Sequence, residues 1–142
     1  MNLKNVEKQL RQSLNEKRGL NFEYKYEENY LDVACDITCK SYDDGIYVAM
    51  DVYDDGLISI SFTFDKLDLS DTALQLINNF NKESVWLTAY VSSKGYLKLR
   101  NNIFVGSEKA VVENIDFLLD HFLSDKIKKV LVPLSQLTYP NN

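Results

Sequence analysis

The stretch at residues 46–64 reads IYVAMDVYDDGLISISFTF, and it predicts two antiparallel β-strands joined by a turn. Apolar side chains alternate with polar or small ones on both sides of Tyr-Asp-Asp-Gly at residues 53–56, which is typical of strands with one buried face. Asp-Gly is a strong hairpin signal, because we expect both central turn residues to adopt a positive φ. The same tetrapeptide recurs at residues 42–45. The middle of the chain is therefore predicted to be a tight antiparallel β-meander.

Further strands and helices are predicted on both sides of this meander. The predicted strands lie at residues 22–27, 31–39, 46–53, 57–64, 85–91 and 96–100. Apolar spacings of three and four residues predict helices at residues 2–18, 70–81, 107–123 and 125–137. Leu74 is expected in the buried stripe of the second helix. The pattern indicates an α+β fold in the order α-β-β-β-β-α-β-β-α, with a meander sheet of five or six strands and helices packed on one face.

Length and composition favour a single domain over residues 1–142, because the chain is long enough for one core but short for two. We expect an N-terminal helix at 2–18, the sheet and its helices at 21–123, and a short helix at 125–137. A composition of 45% hydrophobic and 26% charged residues excludes a disordered chain. No apolar stretch approaches the ~20 residues of a membrane span, and the first residues do not resemble a signal peptide. A cytoplasmic location is therefore expected.

Charge is distributed unevenly along the chain. The net charge is −5, but residues 21–68 contain twelve acids and three lysines, so this part carries −9 and the rest +4. Such a sheet disfavours direct nucleic-acid binding, because that affinity comes largely from Lys and Arg beside phosphates. It suits a basic protein partner, although solubility and protection of the sheet edges explain it equally simply. The predicted acidic patch consists of Asp43, Asp44, Asp54 and Asp55.

No set of residues predicts catalysis, a metal site or a cofactor. Cys35 and Cys39 are expected in one strand about 13 Å apart, which is too far for a disulfide. With His121 as the only histidine, no zinc site can be assembled. His121 also has no Ser or Cys at a spacing that predicts nucleophilic catalysis. The paired aspartates precede Gly directly, which predicts turns and not a metal-dependent polymerase site.

Aromatic side chains outside the predicted core are the best indication of a functional surface. Tyr and Trp combine a large apolar area with a polar end, which favours them at protein interfaces. Trp86 and Tyr90 are expected to share one face of a strand. The alternative is that the aromatic residues cover the second face of the sheet or pack under the terminal helices. The predicted partner-binding residues are Tyr47, Tyr53, Trp86, Tyr90, Tyr96 and Phe117.

The residues DTALQLINNFN at 71–81, GYLKLR at 95–100 and the apolar stripe of 107–123 resemble the YbjN family of bacterial sensory transduction regulators. That family has a type III secretion chaperone-like fold, and the resemblance covers about residues 21–135. It implies a non-enzymatic, often dimeric protein that binds other proteins, with no catalytic residues. The acidic meander departs from the family pattern.

Two functions from different classes are therefore expected. The first is a cytoplasmic adaptor or chaperone-like module that binds a protein segment, as a homodimer. The second is a small acidic inhibitor of a nucleic-acid enzyme, such as a phage-borne, anti-CRISPR-like antagonist of a defence nuclease. Small size, the local acidity and the lack of catalytic motifs motivate the second.

Overall fold

A computed structural model describes residues 1–42 and 45–140 of the chain. The helices are α1 (Leu3–Leu10), which continues as a π-helical segment (Arg11–Lys17), α2 (Asp71–Glu83), α3 (Glu108–Phe122) and α4 (Asp125–Ser135). The strands are β1 (Glu23–Tyr26), β2 (Tyr30–Ile37), β3 (Ile46–Tyr53), β4 (Leu57–Lys66), β5 (Thr88–Val91) and β6 (Tyr96–Phe104). The predicted α+β class and element order are confirmed.

One antiparallel sheet contains these six strands in the spatial order β1-β2-β3-β4-β6-β5. The first four strands form the predicted meander, and α2 carries the chain past the position of β6 to the far edge. The register puts Cys35, Val48, Phe62 and Leu99 in one row across the sheet, and all four are buried. Since side chains alternate between faces along each strand, the opposite face carries the neighbours of these residues and is open.

The helices cover the apolar face. Phe122 of α3 stacks on Phe62 of β4 with ring centroids 4.2 Å apart, and both rings are fully buried. At the chain start, Asn2 caps α1 by accepting hydrogen bonds from the amides of Lys4 and Asn5. The π-helical segment is tied to α3, because the Ser13 hydroxyl donates to Asp116 at 2.6 Å. These contacts place α1 and α3 on the same side of the sheet.

The connection between β2 and β3 is not the predicted tight hairpin, and the two aspartates predicted to form its turn lie outside the described residues. β2 ends at Ile37 and β3 begins at Ile46, so a longer connection replaces a two-residue turn. Tyr42 is buried within it, with its ring edge-on to Phe64 at 5.5 Å. Because β2 ends at Ile37, Cys39 lies beyond the strand, and both it and the buried Cys35 are free thiols.

The second Tyr-Asp-Asp-Gly sequence does join two strands, but the predicted turn type is wrong. Among the described residues, only glycines have a positive φ, so neither Asp54 nor Asp55 adopts one. Gly56 does, at +98°, and its amide donates to the Tyr53 carbonyl at 3.1 Å. The loop therefore has three residues, a turn followed by a left-handed glycine, which is the next commonest hairpin connection.

Two strand boundaries and the position of one leucine also differ from the prediction. β5 begins only at Thr88, so Val85 and Trp86 lie in a bend and not in a strand. β6 runs on to Phe104, four residues beyond its predicted end. Leu74 is exposed on α2, whose buried side chains are Ala73, Ile77 and Phe80.

Candidate functional site at the edge of the sheet

The clearest exposed apolar feature lies where the α2–β5 connection meets α3. Val85 is 82% exposed, Trp86 47% and Phe117 46%. The Trp86 and Phe117 rings meet edge to face with centroids 5.2 Å apart, which is a favourable aromatic geometry. Two of the six predicted aromatic residues are thus brought together. Large apolar side chains left this exposed in a cluster are typical of interaction sites.

Hydrogen bonds between asparagine side chains and the backbone hold the connection that carries Trp86. The Asn101 side-chain amide donates to the Trp86 carbonyl at 2.8 Å. At the end of α2, Asn81 accepts from the Ala89 amide at 2.7 Å and donates to the Ala89 carbonyl at 3.1 Å. Asn81 thereby satisfies outward-facing groups of the edge strand β5, which would otherwise invite pairing with another strand. Trp86 is therefore displayed in a fixed position, and this edge is partly capped.

A hollow of about 250 Å³ opens beside the two rings. Apolar atoms supply most of its wall, and the Asn101 Oδ1 atom at its base has no hydrogen-bond partner. The hollow is lined by Trp86, Asn101, Ile103, Asn114, Phe117 and Leu118. It is smaller than the roughly 300–1,000 Å³ of small-molecule sites, so its size suits one inserted apolar side chain.

His121 lies next to this hollow and forms a contact that the sequence does not predict. Its ring stacks on Phe117 at 6.3 Å, and its Nε2 atom is 3.2 Å from the buried Ser84 hydroxyl. The Ser84 oxygen also accepts from the Leu87 amide at 3.1 Å. The two residues are 37 positions apart, so no local spacing reveals the pair.

The surroundings of the Ser84–His121 pair fit a structural role. In residues 1–42 and 45–140, no carboxylate is hydrogen-bonded to the imidazole, so the third member of a catalytic triad is not in place. Burial lowers the pKa of His121 below its ordinary value, and the nearby charge of Lys126 lowers the pKa further. The hydrogen bond between the neutral ring and the Ser84 hydroxyl fixes the turn that precedes β5.

The lowered pKa of His121 predicts how stability changes with pH. The unfolded chain then binds a proton at His121 more tightly than the folded chain does. The contribution of the neutral His121 ring to the free energy of unfolding is therefore complete above the unfolded pKa of about 6.5. It is lost as the pH falls through the lower pKa of the folded state. We expect the free energy of unfolding, measured by urea titration, to fall less between pH 7 and pH 5 in His121→Gln than in wild type. An equal fall in both proteins would contradict the burial of a neutral His121.

The open face of the sheet carries a concentration of acids that differs from the predicted patch. Asp32 and Asp51 lie directly opposite each other on β2 and β3, and Asp36 lies opposite Tyr47. Burial raises the pKa of Tyr47, and the charges of Asp32, Asp36, Asp51 and Glu23 raise it further. Burial, followed by the charges of Asp32 and Glu27, also raises the pKa of Asp51. We call Glu23, Asp32, Asp36 and Asp51 the acidic cluster.

The predicted acidic patch is only partly described. Asp43 and Asp44 lie outside the described residues. Asp54 and Asp55 are exposed in the β3–β4 turn, where the Asp55 carboxylate accepts from the Leu57 amide at 3.1 Å. The Asp54 carbonyl accepts from the terminal amino group of Met1 at 3.1 Å. These two aspartates therefore help to shape the turn.

The other four predicted aromatic residues lie on the open face, away from Phe117. Tyr47 stands among the acids, and Tyr53 packs against Tyr30 at 5.0 Å. Tyr90 lies under the Arg100 guanidinium at 4.8 Å, and Lys66 stands 5.7 Å from the Tyr96 ring. The expectation that Trp86 and Tyr90 share a face is wrong, because Trp86 lies in the bend before β5 and turns toward α3.

The most exposed aromatic residue of the described part of the chain was not predicted. Phe104 is 69% exposed at the end of β6, on the open face and opposite Leu57 of β4. It was missed because the strand was expected to end at residue 100, although the alternation of side chains continues through Asn102 to Phe104.

The described residues contain neither a cluster of metal ligands nor a helix that could cross a membrane. In residues 1–42 and 45–140, no three His, Cys, Asp or Glu side chains are grouped to hold a metal ion. The described helices include none with the length and apolar character to cross a membrane.

Comparison of the sequence with models of known protein families gives no match, and comparison with curated proteins also gives none. The resemblance to the YbjN family therefore stays a prediction.

Proposed function

We propose that this protein is a non-enzymatic protein-binding module, of an adaptor or chaperone-like kind, which anchors a segment of its partner at Trp86 and Phe117. The observation that carries the proposal is the exposed edge-to-face contact of these rings beside an apolar hollow. A cytoplasmic location and the YbjN-like relationship belong to the same proposal.

The physical basis is the fixed position of the aromatic anchors. Trp is among the residues that contribute most to binding when it enters a desolvated interface, often about 2 kcal/mol or more. Trp86 has its carbonyl held by Asn101, and its ring rests on Phe117, so little conformational freedom is lost when a partner binds. A partner side chain of leucine or phenylalanine size would fill the hollow between them.

The acidic field of the sheet supports a basic partner. Residues 21–68 carry −9, and the acidic cluster stands on the open face of the same sheet. Such fields extend about 8–10 Å at physiological salt and accelerate encounter with an oppositely charged surface. We therefore propose a basic partner, which this field attracts and whose apolar anchor residue enters the hollow on the other side of the sheet.

Capture experiments with three variants test this proposal. Immobilised wild type, Trp86→Ala, Phe117→Ala and the control Leu74→Ala are incubated with extract of the native host, and bound proteins are identified. Leu74 is a comparably exposed apolar residue on α2. We expect one partner to be retained by wild type and Leu74→Ala and reduced at least about tenfold by both aromatic variants. Equal retention by all four folded proteins, with folding checked by circular dichroism, would remove the hollow as the binding site.

The acidic cluster supports a second candidate, an inhibitor that occupies the basic nucleic-acid channel of a defence enzyme. Its four carboxylates are spread over β1, β2 and β3 on one face of the sheet. A protein that takes the place of nucleic acid needs such a spread of negative charges in place of the phosphates. The double variant Asp32→Lys/Asp51→Lys should abolish inhibition of a target nuclease, whereas Trp86→Ala should leave it unchanged. The reverse pattern would favour the binding module.

A further inference from the structure

The open face of the sheet is divided into halves of opposite charge. β1, β2 and β3 carry the acidic cluster on this face, with Lys25 as the cation among them. β5 and β6 contain no acid, and β6 places Lys98 and Arg100 on the open face. Between the halves runs β4, which contributes the neutral hydroxyls of Ser59, Ser61 and Thr63 and ends in one acid and one cation, Asp65 and Lys66.

These opposite charges do not neutralise each other within one chain. Asp36 of β2 and Lys98 of β6 lie in one row of the register, through Tyr47 and Thr63. Three strand spacings separate them by about 14 Å, which is beyond the range of an ion pair. In residues 1–42 and 45–140, no acid of the acidic cluster is ion-paired, and neither are Lys98 and Arg100.

We propose that the open face binds the open face of a second copy of this chain, in a two-fold dimer whose axis runs parallel to the strands between β3 and β4. That operation places β2 of one copy over β6 of the other and β3 over β4. Because rows of the register are preserved, Asp36 faces Lys98 of the second copy, and Tyr47 faces Thr63. The interface is self-complementary, as two-fold symmetry requires.

The same operation matches the apolar end of the face. Tyr30 and Tyr53 form one pair across β2 and β3, and Leu57 and Phe104 form the adjacent pair across β4 and β6. In the dimer Tyr30 meets Phe104 of the second copy, and Tyr53 meets Leu57. Phe104 is the most exposed aromatic ring of the described residues, and the dimer buries the Phe104 ring of each copy.

Size and charge favour a second copy over other occupants. The two edge strands have four residues each and the four inner strands eight to ten. At about 3.3 Å per residue and 4.8 Å between strands, the face measures roughly 650 Å² in projection. Stable complexes bury about 800 Å² per partner, so the face is close to sufficient. A uniformly basic or uniformly acidic partner would be repelled by one half of this surface, whereas the second copy places its Asp36 over Lys98 and its Lys98 over Asp36.

Charge reversal and charge exchange within one row test the dimer. Sedimentation equilibrium is measured for wild type, Lys98→Glu, the double variant Asp36→Lys/Lys98→Glu, and the control Lys129→Glu on α4. We expect a wild-type dimer that weakens with salt and a dissociation constant roughly 10- to 100-fold higher for Lys98→Glu. The double variant should recover the dimer, because the exchanged charges at positions 36 and 98 again attract each other between the two copies. The control should behave like wild type.

Either of two results would overturn the dimer. One is a wild-type protein that stays monomeric throughout the accessible concentration range. The other is a dimer that Lys98→Glu leaves intact, or that the double variant fails to restore while both variants give the wild-type circular dichroism spectrum. Neither result bears on Trp86 and Phe117, which lie on the other side of the sheet, so failure of this dimer and failure of the proposed function are distinguishable.

Discussion

Replacing Gly56 with alanine is expected to lower the free energy of unfolding by about 3 kcal/mol or more. Gly56 has a φ of +98°, where an alanine is strained by about 1–2 kcal/mol. An added Cβ atom would also lie 2.3 Å from the Val105 carbonyl oxygen, which must then move. That movement disturbs the hydrogen bond from the Val105 amide to the Gly56 carbonyl. Urea denaturation measures the loss directly.

Gly95→Ala is the matched control for this prediction. Gly95 has a similar φ of +90°, but no atom lies within 4 Å of its added Cβ. We expect it to show the backbone strain alone, about 1–2 kcal/mol. Equal losses in the two variants would mean that Gly56 is not pressed against Val105.

Replacing Phe122 with alanine is expected to lower the free energy of unfolding by about 3–5 kcal/mol. The Phe122 ring is fully buried and stacks on Phe62. It also packs against the rings of Tyr42 and Phe64, with ring centroids 6.1 Å and 6.3 Å away. Its removal leaves a cavity at the junction of α3, β4 and the β2–β3 connection. The same urea titration, analysed as a two-state transition, provides the measurement.

Phe117→Ala controls for the substitution itself, because Phe117 lies on the same helix with about half of its side chain exposed. It loses only the contacts with Trp86 and His121, and we expect a cost of about 1 kcal/mol. A cost for Phe122→Ala no larger than that for Phe117→Ala would contradict the placement of α3 on the apolar face.

The fold was predictable because the alternation of side chains in β2, β3 and β4 is nearly uninterrupted. The starts of α2 and α3 follow from local chemistry, since the Ser70 and Ser107 hydroxyls accept hydrogen bonds from the Ala73 and Ala110 amides. The turn at residues 53–56 was located correctly but given the wrong type. A two-residue and a three-residue loop use the same Asp-Gly pair, and the register of the two strands decides between them.

The candidate site was less predictable because it depends on contacts between distant segments. Trp86 and Phe117 could be singled out as aromatic residues outside the core, but the bend that turns Trp86 toward α3 depends on Ser84 and Asn101. The Ser84–His121 contact has no local sequence signal. The acidic cluster forms only when the register of β2 and β3 places Asp32 opposite Asp51.

Both proposals depend on one geometric claim, that the helices cover a single face of the sheet. Thiol labelling tests it most directly, with Ile60→Cys and Ser61→Cys prepared separately after Cys35 and Cys39 are replaced with serine. These two neighbours on β4 point to opposite faces, and Ile60 is fully buried. In dilute solution, the thiol at position 61 is expected to react many times faster than the thiol at position 60. Equal protection of both positions, or the reverse order, would contradict the claim.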